Sequence, residues 1–592
     1  MVAVQVNGTL KTPPSNRYEP DSFNVVPAEF PRTEFPASVE VGQVADEFIK
    51  YFKKHLESQD YQALADLFVE DGHWRDHLGL SWDLRGLQGK DKIRKYLAAN
   101  GKSLKQATID RSAPHFSPAI APIDAYGKSK SRICAADPAG WELEGLCCLH
   151  SATGIKRLRI APGRNRPKGD ENRGSRGANN WKEARDAQSS FQDSEPAVLI
   201  IGAGQGGLTS AAHLKMLNVE SLVIDREARI GDNWRQRLPV ALARLHPKDK
   251  LAEFFEAYAM LLELNVWTRT SMTSAKWDAE KKHWTVTVER QVGDKIESRT
   301  FHPRHIIQAT GHSGKKNFPT IKGMENFGGR LCHSSEFPGA NPNSGGKRAV
   351  VVGSCNSGHD IAQDLYENGY DVTMVQRSST CVVSSDSIVD IGLSALYSEG
   401  KPPVDDADLI LWSIPRPVHK ACQQQVAALS MENDRATLEG LTRAGFKLDS
   451  GPDSAGLFFK YFQRGGGYYI DVGCSQLIID GRVKIKQGQE IAEVLPDGLL
   501  FADGSRLAAE EIVFATGYKN MRTQAEEILG PDVAASLKDV WGFDEEGEWR
   551  TMWRRSGHPG FWFMGGNLAL CRYYGRYLAL QITALEEGLM EY

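Results

Sequence analysis

Apolar residues recur every three or four positions in VADEFIKYFKKHLE (44–57) and YQALADLFVE (61–70), which predicts two amphipathic helices. GHWRDHLGL (72–80) reads as a strand and GKDKIRKYLAAN (89–100) as a third helix. After residue 100 only WELEGLCCLH (141–150) alternates as a strand does, so this unit reads as small and incomplete. From residue 196 the rhythm changes. Short continuous apolar runs each end in a glycine turn and open a helix, first in PAVLIIGAGQGGL (196–208) and again in RAVVVGSCNSGH (348–359). Such runs are the mark of strands buried on both faces of an α/β fold. LAEFFEAYAMLLELNV (251–266) carries Glu253, Glu256 and Glu263 and predicts an amphipathic helix of a soluble domain.

The first 40 residues hold Pro13, Pro14, Pro20, Pro27, Pro31 and Pro36 without periodicity and read as an extended arm. Residues 156–185 hold ten Lys or Arg against three acids, among many Gly and Asn, and read as a solvated linker. At roughly 150 residues per domain, 592 residues leave room for about four domains. The 71 basic and 75 acidic residues give a net charge of −4, and this near-balance argues against nucleic acid as a partner. Nine cysteines contain no CxxC pair, which argues against a zinc ribbon or a dithiol redox centre and for free thiols in a reducing compartment. His73 and His77 are read as fold detail, with no metal site. No leader and no run of 18 apolar residues is found, so the expectation is a cytoplasmic protein without a membrane partner.

The first glycine turn has GxGxxG spacing at Gly202, Gly204 and Gly207, between a strand and a helix. Such a turn lets backbone approach a pyrophosphate that faces the helix N-terminus. The next strand, SLVID, ends at Asp225, a carboxylate suited to accept the hydroxyls of an adenosine ribose. The second turn reads Gly353-Ser354-Cys355-Asn356-Ser357-Gly358, with Cys355 in the middle glycine's place. The offset from Gly202 to Asp225, carried over from Gly353, falls on Gln376, followed by Arg377 and Ser378. An acid there would repel a 2′-phosphate, whereas Arg377 can clamp one. The first turn thus points to an adenosine diphosphate with a free 2′-hydroxyl and the second to NADP. Each unit later ends a strand in the same tripeptide, Ala309-Thr310-Gly311 and Ala515-Thr516-Gly517, placed to pass beside a bound cofactor.

Taken together these motifs resemble the flavin-containing monooxygenases, a class B flavoprotein family with fungal and plant members. FGGRLCHSSEF matches their fingerprint through Phe327, Gly329, His333 and Phe337; the Baeyer–Villiger branch usually closes this motif with Trp, and here Phe337-Pro338 stands instead. GDNWRQR resembles the family segment in which Gly231 and Trp234 line the flavin, and Gly565-Gly566-Asn567 resembles the helix start that faces the flavin ring. The resemblance implies two interleaved Rossmann-like domains. Its FAD-binding domain would span 195–345 and 506–592, with an NADP-binding domain at 346–505. Ahead of them lie the arm (1–40), the small α+β domain (41–150) and the basic linker (151–194). The small domain resembles the start of the cone-shaped nuclear-transport-factor-like fold, a type that often forms a homodimer. It carries no cofactor motif and is expected to be separable from the flavin-binding part.

The resemblance also implies FAD and NADPH as cofactors, and O2 and a small molecule as substrates. One oxygen atom would pass by way of a flavin hydroperoxide to a soft nitrogen or sulfur nucleophile. A Baeyer–Villiger ketone oxygenase and a non-catalytic or uncoupled FAD-binding protein are the alternatives. No side-chain nucleophile is required; His333 and His246 are the weak catalytic candidates. Only thirteen residues separate Trp234 from Lys248, where relatives carry a long aromatic loop, and this predicts an open oxygen site and peroxide leakage.

Overall fold

The computed structural model of the chain describes residues 19–29, 40–104, 147–151, 180–236, 247–311 and 314–592. Two five-stranded parallel sheets dominate it. The first runs, in order, Phe561–Phe563, His305–Gln308, Val198–Ile201, Ser221–Ile224 and Val266–Trp267. The second runs Arg330–His333, Glu511–Phe514, Arg348–Val352, Asp371–Gln376 and Val483–Gln487. The central strands of both have buried apolar interiors, Val198–Ile200 in the first and Ala349–Val351 in the second, as covering on both faces requires. Each unit also carries a three-stranded antiparallel meander, Thr270–Phe301 in the first and Ile491–Ala508 in the second, just before the strand that ends in Ala-Thr-Gly. The two units are therefore built to one plan.

The second sheet crosses both expected boundaries. Arg330–His333 lies before residue 346 and Glu511–Phe514 after residue 505, yet both pair within this sheet. The cuts at 345/346 and 505/506 followed from the family resemblance, whose local motifs do not reveal which strands pair. Between Cys381–Ser384 and Tyr468–Asp471 the second unit also carries a helical insert, including Val404–Ser413, Arg416–Asn433, Arg435–Arg443 and Gly456–Arg464.

The N-terminal unit forms the expected helices, Val41–Glu57, Tyr61–Ala65 and Lys90–Asn100, and a sheet in which His73–His77 pairs with Leu84–Gln88 and with Cys147–Ser151. Phe48, Phe52, Phe68, Trp74, Ile93 and Leu97 close a core of their own. The unit is not a detached module, however. All five residues of His73–His77 are buried, and Arg75 reaches Glu548 of the C-terminal region. These contacts argue against a separable domain, and they join residues too far apart in sequence for any local pattern to reveal. The arm behaves alike: Lys420, itself buried, donates to Asn24 Oδ1 (2.8 Å), the Val25 carbonyl (2.7 Å) and Asp453 (2.6 Å). At the far end of the linker a capped helix, Trp181–Ser190, docks through Arg185 on the Leu264 carbonyl and Asn265. No helix among the described residues is long and apolar enough to cross a membrane.

Candidate cofactor-binding site

Both glycine turns are held in the same way. Gly202 and Gly353 have φ of +107° and +122°, a region that side chains avoid. A Cβ on Gly202 would lie 2.5 Å from the Ala309 carbonyl oxygen, and one on Gly353 only 2.2 Å from that of Ala515. A Cβ on Gly207 or Gly358 would lie 1.9 or 2.2 Å from the first glycine's own carbonyl. The alanine of each Ala-Thr-Gly thus seats the first glycine of its loop, a role that the spacing alone did not disclose.

Gly204 and Cys355 occupy equivalent N-cap positions of the helices Gln205–Met216 and Asn356–Glu367, at φ/ψ of −82°/−172° and −101°/−169°. This is ordinary extended backbone, so cysteine is accommodated without strain. Neither N-cap makes a side-chain capping bond. The first turn of each helix therefore keeps N–H groups and the positive end of its dipole for an anion. That is the geometry a pyrophosphate needs, and it fits two dinucleotides.

Around the first turn, Asp225 ends the strand Ser221–Ile224 and accepts from the N–H groups of Ala203 (2.6 Å) and Glu227 (2.9 Å). Its carboxylate is thereby fixed at the mouth of the loop. Gly231 packs on Ala252, where a Cβ would come within 2.7 Å of the carbonyl, and Trp234 packs on the first core. Gln205 donates to the Gly566 carbonyl (3.2 Å), so the final helix, Leu568–Glu586, begins beside the first turn. Asn567 caps that helix through the Leu570 N–H, while its own N–H is accepted by the Tyr461 hydroxyl of the helical insert (3.1 Å). Thr310 donates to Gln524 (2.9 Å), and Gly311 has open space at its Cα.

Around the second turn, Ser354 pairs with Thr380 (2.8 Å) and Asn356 accepts from the Ile470 N–H (2.9 Å). Those two side chains have structural employment, and their contribution to a ligand falls to the backbone. Ser357 is exposed and Ser378 half-buried. Gln376 is buried and clasps Lys447 through both its amide atoms. Arg377, next in the chain, is exposed, and its side chain makes no hydrogen bond or ion pair to another described residue. A cation beside the position of the missing acid suits a 2′-phosphate.

His333 and the fingerprint around it lie in the connection between the units. Residues 314–317 and 517–519 run antiparallel, with Gly314 N–H on the Lys519 carbonyl and Asn317 N–H on that of Gly517, both at 2.9 Å. The buried His333 accepts the Ser335 N–H at Nδ1 (3.2 Å), which leaves Nε2 to donate to the Gly517 carbonyl (3.0 Å). Burial lowers its pKa and keeps the ring neutral. Gly329 lies against the Glu510 carbonyl, which a Cβ would approach to 2.0 Å, and Phe337 lies under the Arg330 guanidinium at 4.9 Å. Thr516 donates to the Asn317 carbonyl (2.6 Å). The whole fingerprint staples the crossing to the strand Glu511–Phe514, and both nitrogens of His333 serve that staple. His246 and residues 237–246, including the short segment after Trp234, lie outside the described residues. Among the described residues no group of three or more His, Cys, Asp or Glu is placed to hold a metal ion.

Residues 196–396 match the family described as pyridine nucleotide-disulphide oxidoreductase. The chain is 25% identical over 347 residues to the probable indole-3-pyruvate monooxygenase YUCCA10 of Arabidopsis thaliana, an alignment covering 55% of this chain and 82% of that protein. It is 26% identical over 394 residues to the indole-3-pyruvate monooxygenase YUCCA8 of Oryza sativa subsp. japonica, covering 62% and 85%. An open crystal structure of cyclohexanone monooxygenase aligns with 66% of this chain and 88% of that one, at 17% identity and a TM-score of 0.44.

Proposed function

Since the chain belongs to the class B flavoprotein monooxygenases, we propose that it binds FAD at the first glycine turn and NADPH at the second and oxygenates a small organic molecule at a soft sulfur or nitrogen. The observation that carries the reading is the duplicated cradle: two uncapped helix N-termini, each seated on the alanine of an Ala-Thr-Gly strand end, in one chain. When bound, the two cofactors supply the redox chemistry and the activation of O2. The protein's share is placement. Gly202, Gly204 and Gly207 admit the FAD pyrophosphate, Asp225 accepts from its ribose, and Gly566 and Asn567 start the helix that faces its ring. Gly353, Cys355 and Gly358 do the same for NADPH, and Arg377 pairs with the 2′-phosphate. His333 holds the crossing between the two units and needs no proton of its own for the reaction.

Disulfide reduction, suggested by the matched family's description, requires a cysteine pair. The cysteines with described side chains, Cys332, Cys355, Cys381, Cys422, Cys474 and Cys571, are all free, and burial raises the thiol pKa at Cys355, Cys381, Cys474 and Cys571. That is the opposite of what a redox thiol needs. The test is to record the visible spectrum of the purified protein and then supply NADPH, O2 and either a thioether or a ketone. Flavin absorbance and sulfoxide are expected. Ester or lactone from the ketone alone would favour the Baeyer–Villiger reading, and NADPH consumption with peroxide as the only product would mark an uncoupled flavoprotein. A colourless protein that leaves NADPH untouched would overturn the proposal.

A further inference from the structure

The helical insert encloses a cavity of about 40 Å³, above the ~10–15 Å³ that one water needs. Its walls are mostly apolar, with Val382, Ile388, Val426, Met431, Leu457 and Phe458 among the lining residues. Ile388 belongs to a π-helical turn, Ser387–Leu393, and such turns gather at functional sites because the wider backbone opens space beside it. The cavity is also tied to the flavin end of the molecule. Leu457 and Phe458 begin the helix Gly456–Arg464, and Tyr461, one turn on, accepts the Asn567 N–H at the start of the final helix. One turn is about 5.4 Å of helix. The same rigid element therefore lines the cavity and touches the helix start assigned to the flavin ring.

The charged group at the wall is already satisfied. Asp449 is paired with the buried Lys460 and accepts the Gly451 N–H at 2.9 Å. Lys420 and Arg416, the other buried cations of the insert, are engaged with Asp453 and with the Tyr574 hydroxyl. A carboxylate entering the cavity would meet Asp449 and find none of these cations unengaged, at a large desolvation cost.

Building on the monooxygenase reading, we infer that this cavity receives the apolar part of the substrate, and that this substrate is neutral there: a thioether or uncharged amine bearing a short hydrocarbon chain. The plant relatives are named for indole-3-pyruvate, an anion; this chain's cavity selects against such a charge.

The experiment is calorimetric titration of the flavin-loaded protein with alkyl methyl sulfides of increasing chain length, and with a sulfide of equal length ending in a carboxylate. Affinity is expected to rise about fourfold per methylene, the transfer free energy of one CH2, until the cavity is full. The carboxylate is expected to bind at least tenfold more weakly. Val426→Trp should flatten the chain-length series, and Val426→Ala should extend it by one or two methylenes; circular dichroism of both variants checks folding, and the Ala variant decides if the Trp variant fails to fold. No gain with chain length, equal binding of the carboxylate, or the wild-type series in Val426→Ala would overturn the inference. Its failure is distinct from failure of the monooxygenase reading. A protein that carries flavin and consumes NADPH but shows no chain-length series refutes the cavity assignment alone. A protein without flavin refutes the enzyme reading, and the same titration of that protein still decides the cavity.

Discussion

Arg75 and Glu548 stand 473 residues apart in sequence and meet in a two-point ion pair, Nε to Oε1 at 2.5 Å and Nη2 to Oε2 at 2.6 Å, with both side chains 1% exposed. The guanidinium also donates to the carbonyls of Trp412 and Ile414, so one side chain from the N-terminal sheet holds both the C-terminal region and the helical insert. The Glu548 charge beside it drives the Arg75 pKa upward against the cost of burial. Breaking such a pair from one side leaves the other charge buried alone.

Glu548→Gln or Arg75→Met is therefore expected to cost about 3–5 kcal/mol, read from denaturant unfolding, while the paired replacement Arg75→Met with Glu548→Met costs less than either. A chain starting near residue 190 is expected to be insoluble or unable to fold, since it removes Arg75 from Glu548 and the Trp412 carbonyl and His77 from the Tyr573 hydroxyl. A soluble, flavin-binding truncation would show the N-terminal unit to be dispensable.

Asp225→Arg is expected to abolish flavin retention. The carboxylate is held by the Ala203 N–H at 2.6 Å beside the turn, and a cation of larger volume replaces both the ribose acceptor and that bond. The ratio of flavin absorbance to protein measures it; a full complement of flavin in the variant would remove Asp225 from the site.

Arg377→Ala is expected to raise the KM for NADPH ten- to hundred-fold with little change for NADH, the effect of losing one charge-assisted contact of roughly 1.5–3 kcal/mol. The side chain is exposed and makes no hydrogen bond or ion pair to another described residue, so its removal is expected to leave the fold intact. Equal damage with both cofactors would mean that the guanidinium does not read the 2′-phosphate.

Acid is expected to destabilise the second unit through His359. The ring is fully buried, stacks on Tyr469 at 3.6 Å, and donates from Nδ1 to the Cys355 carbonyl (3.1 Å) at the start of the nucleotide helix. Burial lowers its pKa from 6.5 to about 4. The unfolded chain therefore takes up a proton between these values while the folded one does not. Stability is complete above pH 6.5 and falls by about 1.4 kcal/mol per pH unit toward pH 4, below which this contribution levels off. His359→Phe should flatten that slope in denaturant titrations at pH 7, 6 and 5, and an unchanged slope would place the dependence elsewhere.

What the amino-acid sequence determined by itself was local. The buried strands before each turn, the glycine spacing, Asp225 and Arg377 are all set within about 30 residues, because a strand, a turn and a helix are dictated by near neighbours. The departure at Cys355 was equally local and proved neutral, since the N-cap there is extended. Tertiary structure alone decided the rest. It decided that Arg330–His333 and Glu511–Phe514 belong to the second sheet, because strand pairing is a long-range choice among similar apolar runs. It turned Arg75, Arg416 and Lys420 inward, against the rule that places charges outside, because each finds its partner or acceptor only after distant segments pack. And it made His333 a staple, because its partner, the Gly517 carbonyl, lies 184 residues away and carries no mark in the sequence.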